Sequence, residues 1–177
     1  MTTILEGNLQ GKGRRVAVAV ANFNQDITDS LLQGCLRRLL AAGVIEQDIC
    51  VARVPGSFEL PLCCERLAQT GKYDAVIALG AVIRGDTPHF DFVSQGCTDG
   101  LLRVSLKYSL PVIFGVLTTD TLEQAWHRAA PDTDTPSSAL PSSALDGERQ
   151  EKSTPRSNKG AESAEVALHM ASLLEAI

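Results

Sequence analysis

The stretch YDAVIALGAVI, residues 73–83, is the part of the sequence that decides the fold. From Ala75 to Ile83 it is apolar throughout, with no polar residue at alternate positions. A strand with one face in water alternates apolar and polar residues, whereas a strand covered on both faces is a continuous apolar run. The stretch therefore predicts a buried strand of a parallel sheet.

Three other runs have the same character, and helical patterns lie between and after them. The strand-like runs are RRVAVAVAN (14–22), DICVARV (48–54) and PVIFGVLT (111–118). The helical patterns cover residues 28–43, 57–71, 92–108, 120–129 and 158–177. Because strands that alternate with helices are joined by right-handed crossovers, we predict a three-layer α/β/α sandwich around a four-stranded parallel sheet.

The helix boundaries carry their own signals. Thr28 is a candidate N-cap of the first helix, and Asp120 with Glu123 has the spacing of a capping box. Pro61 is compatible with a helix only in its first turn. The last helix has an apolar stripe at helical spacing, which predicts its buried face. The stripe consists of Val166, Met170, Leu173, Leu174 and Ile177.

Residues 131–157 differ in composition from the rest of the chain. They hold four of the eight prolines and six serines, with no aromatic or β-branched apolar residue. Such a segment cannot bury enough apolar surface to offset the entropy of ordering it. Since only about twenty residues follow, we predict a flexible insertion within a single domain that spans residues 1–177.

Composition and charge exclude several classes of protein. Of 177 residues, 44% are apolar and 21% charged, as in soluble globular proteins, and the net charge is −5. No basic stripe favours nucleic acid, and no apolar run approaches the roughly 20 residues of a membrane span. The N-terminus has no secretory signal, so we expect a cytoplasmic protein, or an organellar one whose transit segment is absent. The five cysteines match no metal motif and are expected to be buried, reduced thiols.

In a parallel α/β sheet, ligands bind beyond the carboxyl ends of the strands, so the loops there are the candidate sites. After the first strand, Phe23 could stack on a flat ring beside the Asn24 amide, or simply pack under the following helix. After the second strand, Ser57 opens a helix whose free N–H groups suit an oxygen-rich ligand. Glu59 either accepts hydrogen bonds from a polyol or only interacts with the helix dipole.

The third and fourth strand ends carry the most reactive residue types. In RGDTPH (84–89), Gly85 allows close backbone approach, and Asp86 and Thr87 precede a helix N-terminus that favours phosphate. His89 is either a proton carrier or a surface histidine. Beyond the fourth strand, Arg128 ends a helical pattern, where a cation also complements the dipole.

Five strings together resemble the 6,7-dimethyl-8-ribityllumazine synthase family. They are ANFN (21–24), VPGSFELP (54–61), GAVIRGDTPHFDFV (80–93), PVIFGVLTTDTLEQAWHRA (111–129) and NKGAE (158–162), in the family's order. The resemblance implies a flavodoxin-like, oligomeric fold. It also implies a transferase that condenses 5-amino-6-(D-ribitylamino)uracil with 3,4-dihydroxy-2-butanone 4-phosphate, releasing phosphate and water, with neither metal nor cofactor. The alternative is a flavin-binding, lumazine-binding or shell-forming protein of the same fold without catalysis.

The resemblance also implies roles for individual residues. His89 matches the general acid/base. The positions that match the ribitylaminouracil site are Phe23, Asn24, Ser57, Phe58, Glu59, Ala81, Val82, Ile83 and Phe114. The positions that match the phosphate site are Gly85, Asp86, Thr87, Arg128 and, beyond the insertion, Lys159.

The resemblance finally implies partners. The family's sites lie between the subunits of a pentamer, so Phe114 and Arg128 are expected to come from the adjacent chain. Some members assemble pentamers into an icosahedral shell, and we expect the insertion to favour the free pentamer. Riboflavin synthase is an expected protein partner, whereas nucleic acid and membrane are not.

Overall fold

The structure, a computed structural model, describes residues 2–131 and 157–177. The sheet in this part of the chain has four strands, all parallel, in the order β2-β1-β3-β4. The strands are β1 (Val16–Ala21), β2 (Ile49–Val54), β3 (Ala75–Ile83) and β4 (Val112–Thr119). This is the flavodoxin-like order, and the predicted four-stranded parallel sheet is confirmed.

Helices cover both faces of the sheet. They are α1 (Gln25–Ala41), α2 (Leu60–Gln69), α3 (His89–Tyr108), α4 (Leu122–Arg128) and α5 (Lys159–Ala176). The α1, α4 and α5 helices share one apolar cluster with the sheet, and α2 and α3 share the other, which gives the three predicted layers. No helix in the described ranges has the length and apolarity needed to cross a bilayer. Apart from its two end residues, the predicted insertion at 131–157 lies outside the described residues.

The central strands are apolar throughout because each face is covered. In β1, the valines at positions 16, 18 and 20 pack in the α1/α5 layer, and the alanines at 17, 19 and 21 pack in the α2/α3 layer. All six side chains are fully buried. The same two-sided burial holds for β3, whose residues 75–82 are all buried. Burying one valine side chain stabilises the fold by about 1.5–3 kcal/mol. A polar residue in its place would lose this stabilisation and would also carry the free-energy cost of its own desolvation.

The first helix begins earlier than the sequence predicts, and Thr28 is not its N-cap. The α1 helix starts at Gln25, and the N-cap is Asn24, in the left-handed conformation with φ 59°. Asparagine tolerates this conformation better than other non-glycine residues do. Thr28 is fully buried, and its hydroxyl donates to the Gln25 carbonyl at 3.2 Å. A threonine can thus form a hydrogen bond to the backbone inside a helix, and the sequence alone does not distinguish it from an N-cap threonine.

The capping box of α4 is shifted by one residue from the prediction. Thr121, not Asp120, is the N-cap, and its hydroxyl accepts from the Gln124 amide at 3.1 Å. The Gln124 side chain accepts in return from the Asp120 amide at 2.9 Å, so the glutamine takes the place predicted for Glu123. The prediction for Pro61 is confirmed, because it lies in the first turn of α2.

The apolar stripe predicted to bury α5 is wrong. Val166, Leu174 and Ile177 are 47%, 42% and 80% exposed in the single chain. The buried face instead consists of small residues and one leucine: Gly160, Ser163, Ala164, Ala167, Leu168, Ala171 and Ser172. The reason is a close approach of α5 to α1, which leaves no room for long side chains. A Cβ on Gly160 would lie 1.9 Å from the Leu31 carbonyl oxygen.

Gly160→Ala is therefore expected to destabilise the protein by about 1–3 kcal/mol. Alanine favours a helix over glycine by about 1 kcal/mol, so a measured loss reports the clash with the α1 backbone. Urea unfolding followed by circular dichroism measures the change. Gly96→Ala is the matched control, since its Cβ meets the ring of Phe58, a 59% exposed side chain that can turn aside. Equal effects of the two substitutions would contradict the close helix approach.

All five cysteines are free, and Cys35, Cys64 and Cys97 are buried as predicted, whereas Cys50 and Cys63 are only partly buried. Burial raises the pKa of the Cys35 and Cys97 thiols to about 12, and raises that of Cys64 as well. An unfolded chain deprotonates such thiols above about pH 8.5, while the native chain keeps them protonated. The stability that these protonated thiols contribute is thus complete below pH 8.5 and is lost as pH rises towards the folded pKa.

We expect the free energy of unfolding to fall between pH 8 and pH 10, with Cys35 accounting for about 2 kcal/mol of the fall. Cys35→Ala removes that thiol and should flatten the pH dependence by this amount. Urea unfolding of both proteins at the two pH values measures the difference, in which all other titrating groups cancel. Parallel curves would show that the Cys35 thiol does not contribute.

Candidate active site

A pocket of about 710 Å³ lies beyond the carboxyl ends of β1, β2 and β3. It is lined by the loops that follow these strands and by the first turn of α3. The predicted site residues among the lining are Phe23, Ser57, Phe58, Glu59, Ala81, Val82, Ile83, Gly85, Thr87 and His89. Ten positions chosen from the sequence thus meet in one cavity, at the edge of the sheet where ligands of such folds bind.

The pocket presents aromatic rings to solvent. Phe23 is 70% exposed, Phe58 59% and Phe92 73%. Phe23 therefore does not pack under the following helix in the single chain, which was the alternative open from sequence. Large exposed rings around one cavity indicate a surface that binds a flat ligand or another chain. Phe92 is missing from the predicted site, although its spacing of three from His89 on α3 is the signal that could have found it.

The loop that carries Phe23 is attached to the neighbouring strands. The Asn22 amide donates to the Val54 carbonyl at 2.8 Å, and the Phe23 amide donates to the Pro55 carbonyl at 3.0 Å. The Asn24 side-chain amide donates to the Ala81 carbonyl at 2.9 Å and does not line the pocket. Asn24 thus fixes the loop against the end of β3.

The second loop packs tightly under the end of β3. Ser57 is only 5% exposed, and a Cβ on Gly80 would lie 2.5 Å from the Ser57 hydroxyl oxygen. The glycine at position 80 therefore lets the loop approach the strand. Two residues further on, Glu59 is exposed at the pocket wall, which leaves its carboxylate free to accept hydrogen bonds.

The third loop leads into α3 without a side-chain cap. Pro88 is the N-cap residue, and its side chain accepts no hydrogen bond from the first amides of the helix. Those amides and the helix dipole favour an anion at this end. Gly85 and Thr87 line the pocket beside His89, whereas Asp86 is exposed on the loop and does not line it.

A second pocket, of about 880 Å³, lies along the edge strand β4 against α4 and α5. It contains the three remaining predicted residues, Phe114, Arg128 and Lys159, together with Glu162, which accepts a hydrogen bond from Lys159. Among the described residues, Arg128 has no ion-pair partner. Its guanidinium is therefore available to an anionic ligand.

Arg128 and Lys159 line the same pocket although the insertion separates them in sequence. The chain on either side of the insertion is joined by backbone hydrogen bonds. The Ala130 amide donates to the Ser157 carbonyl at 3.2 Å, and the Ser157 amide donates to the His127 carbonyl at 3.0 Å. These bonds hold the two ends of the chain on either side of the insertion together, so Arg128 and Lys159 lie in one pocket.

The two pockets have no lining residue in common. One chain therefore brings together His89 and the aromatic residues, but it does not bring Phe114, Arg128 or Lys159 to them. The described residues also contain no group of three His, Cys, Asp or Glu side chains placed to hold a metal ion.

The fold and the pockets define a class: a parallel α/β protein with a pocket, lined in part by exposed aromatic rings, at the carboxyl ends of its strands. The comparisons with known proteins narrow this class. The sequence model described as 6,7-dimethyl-8-ribityllumazine synthase matches residues 13–175. A protein of that name from Desulfatibacillum aliphaticivorans is 51% identical over 129 residues, which cover 73% of this chain and 83% of the relative. The chain belongs to the 6,7-dimethyl-8-ribityllumazine synthase family, a family of transferases in riboflavin biosynthesis.

Proposed function

We propose that the chain condenses 5-amino-6-(D-ribitylamino)uracil with 3,4-dihydroxy-2-butanone 4-phosphate to 6,7-dimethyl-8-ribityllumazine, releasing phosphate and water. The observation that carries this proposal is the family match over residues 13–175, which includes each strand-end loop of the pocket. The product is the substrate of riboflavin synthase, so we expect that enzyme as a partner and a cytoplasmic location for both.

The pyrimidine and its ribityl chain are assigned to the strand-end pocket. Phe23 presents a free ring face, which suits stacking on the pyrimidine. The main chain of residues 81–83 borders the cavity and offers amides and carbonyls to the polar edge of the ring. Glu59, exposed at the wall, accepts from the ribityl hydroxyls, with Ser57 and Phe58 beside it.

The phosphate is assigned to the uncapped N-terminus of α3 and to Arg128. Backbone amides after Gly85 and Thr87 and the positive end of the helix dipole stabilise the anion. The guanidinium of Arg128 adds a forked donor with a permanent charge, and Lys159 adds a second cation. His89 lines the pocket together with the residues assigned to the pyrimidine and with Gly85 and Thr87, and its imidazole can move protons during imine formation and phosphate release.

These assignments require two chains. Phe114, Arg128 and Lys159 lie in a pocket separate from His89 within one chain, so a complete site needs the β4 edge of a neighbour. We propose a homo-oligomer, the pentamer of the family, with each site at a subunit boundary. The insertion lies at the α4–α5 junction and is proposed to favour the free pentamer. Light scattering that gives a shell-sized mass would contradict this assembly state.

A steady-state assay with both substrates tests the activity. Lumazine absorbance and released inorganic phosphate are followed together, and equal rates of the two are expected. Binding of the ribitylaminouracil without turnover would instead support a binding protein of the same fold.

Mixed subunits test the shared site. His89→Ala and Arg128→Ala chains are each expected to be nearly inactive under limiting phosphorylated substrate. If they are unfolded and refolded together in equal amounts, about a quarter of the sites combine an intact His89 with an intact Arg128, and activity returns to that level. Each variant refolded alone is the control. Mixtures no more active than the controls would place both residues within one chain.

A further inference from the structure

Arg84, which no role described above includes, joins three elements around the third strand end. Its backbone amide donates to the Thr119 carbonyl at 2.9 Å and so continues the pairing of β3 with β4. Its guanidinium Nε lies 2.9 Å from Oδ1 of Asp120, and Nη1 lies 3.3 Å from Oδ1 of Asp91. The same group lies over the Phe90 ring, 4.1 Å from its centroid.

These contacts argue against Arg84 as a phosphate ligand. Two carboxylates already share its charge, and the hydrogen bond with Asp120 raises the pKa of the guanidinium further. The side chain also does not line the strand-end pocket. Its effect on a bound substrate must therefore pass through the residues that it holds.

The segment that Arg84 holds has few other attachments. Residues 85–88 are exposed, and their one hydrogen bond among the described residues is local, from the Asp91 amide to the Pro88 carbonyl at 3.0 Å. A Cβ on Gly85 would meet no atom within 4 Å, so the loop is not packed either. The contacts of Arg84 with Phe90 and Asp91 thus connect the two ends of this loop.

We infer that Arg84 is a positioning residue for His89 and for the loop 85–88, whose amides are proposed to bind the phosphate. It attaches the first turn of α3 to the end of β4 through Phe90, Asp91 and Asp120, and His89 directly precedes Phe90. This inference rests on the proposed lumazine synthase activity. It deepens that activity by assigning the placement of the acid/base to a side chain outside the pocket.

Arg84→Met tests the inference, because it keeps an unbranched apolar side chain in place of the aliphatic part of arginine and removes every polar contact of the guanidinium. We expect kcat to fall about ten- to a hundredfold, since a displacement of about 1 Å at the reacting groups has costs of this order. The KM for the ribitylaminouracil should stay within about twofold, because the residues assigned to that ligand are untouched. Arg84→Lys keeps one ion pair and should recover part of kcat.

A second readout does not depend on activity. Hydrogen–deuterium exchange of the peptide that covers residues 84–92 should be faster in Arg84→Met, whereas peptides of α5 should exchange as in the parent. Arg66→Met is the matched control, since Arg66 is exposed on α2 and, among the residues that the structure describes, its side chain bonds only to Gln69 within the same turn. It should change neither kcat nor exchange.

These experiments distinguish a failure of the positioning role from a failure of the proposed activity. An inactive parent would overturn the lumazine synthase proposal. An active parent with Arg84→Met within twofold of its kcat, or with unchanged exchange at 84–92, would overturn the positioning role alone. If Arg84→Met does not fold, Asp120→Asn replaces it. That variant weakens the ion pair between Arg84 and Asp120. A lower kcat at an unchanged KM for the ribitylaminouracil supports the role, whereas an unchanged kcat overturns it.

Discussion

Replacing His89 by alanine is expected to lower kcat by about 10²- to 10⁴-fold, the usual contribution of a general acid/base. His89 is exposed in the lining of the strand-end pocket, where it is the first residue of α3. There an imidazole can serve both the imine-forming step and the leaving phosphate. Substrate binding should change little, because the substitution leaves Phe23 and the main chain of β3, the groups proposed to bind the pyrimidine, in place. Steady-state kinetics with each substrate varied in turn measures both effects.

The control for this substitution is His169→Ala on the exposed side of α5, away from both pockets. It should keep the parent kcat. Added imidazole should restore part of the lost activity to His89→Ala, since it supplies the missing proton carrier. Parent-like turnover in His89→Ala without imidazole would remove the histidine from the mechanism.

Arg128→Ala is expected to raise the KM for the phosphorylated butanone by about ten- to a hundredfold, the usual worth of a hydrogen bond to a charged group. Within the described residues Arg128 has no carboxylate partner, so its charge is free for the substrate. The KM for the ribitylaminouracil should change less than threefold. The inhibition constant of inorganic phosphate should rise in parallel with the first KM, which links the effect to the phosphoryl group.

Two comparisons separate charge from geometry at this position. Arg128→Lys keeps the charge but loses the fork, and it should fall between the parent and the alanine variant. Lys72→Ala removes one positive charge from an exposed turn between α2 and β3 that lines neither pocket, and it should leave both KM values unchanged. An unaltered KM for the butanone phosphate in Arg128→Ala would show that the phosphate binds elsewhere.

The sheet could be predicted because its burial is written directly into the sequence. Residues 75–82 are covered on both faces, so no polar residue interrupts the run, and a continuous apolar run has few other interpretations. The prediction for Pro61 succeeded for a local reason as well, since its ring fixes φ and is compatible only with a first turn. Both signals depend on the residues themselves and not on distant partners.

The predictions that failed depended on such partners. The buried face of α5 is set by how closely α1 approaches, and small residues such as Gly160 carry no hydrophobic signal in a periodicity. The start of α1 at Gln25 depends on the left-handed conformation of Asn24, which is held by a hydrogen bond to β3, 57 positions away. Thr28 then takes its place inside the helix, where it satisfies its own hydroxyl.

The candidate site follows the same division. The strand-end rule selected loops that meet in the structure, and ten chosen residues line one pocket. The separation of that pocket from Arg128 and Lys159 could not follow from spacing, since it depends on which edge of the sheet β4 occupies. Only the resemblance to a family with shared sites anticipated that separation.

The backbone junction between α4 and α5 also gives the chain a place for carrying foreign sequence. Ala129 and Asn158 pair as an antiparallel bridge, which holds the two ends of the described chain together there. The entropy of closing a loop grows slowly with its length, by about 0.6 kcal/mol per doubling. We therefore expect that an epitope or an affinity tag of similar length in place of residues 132–156 leaves Arg128 and Lys159 in their pocket.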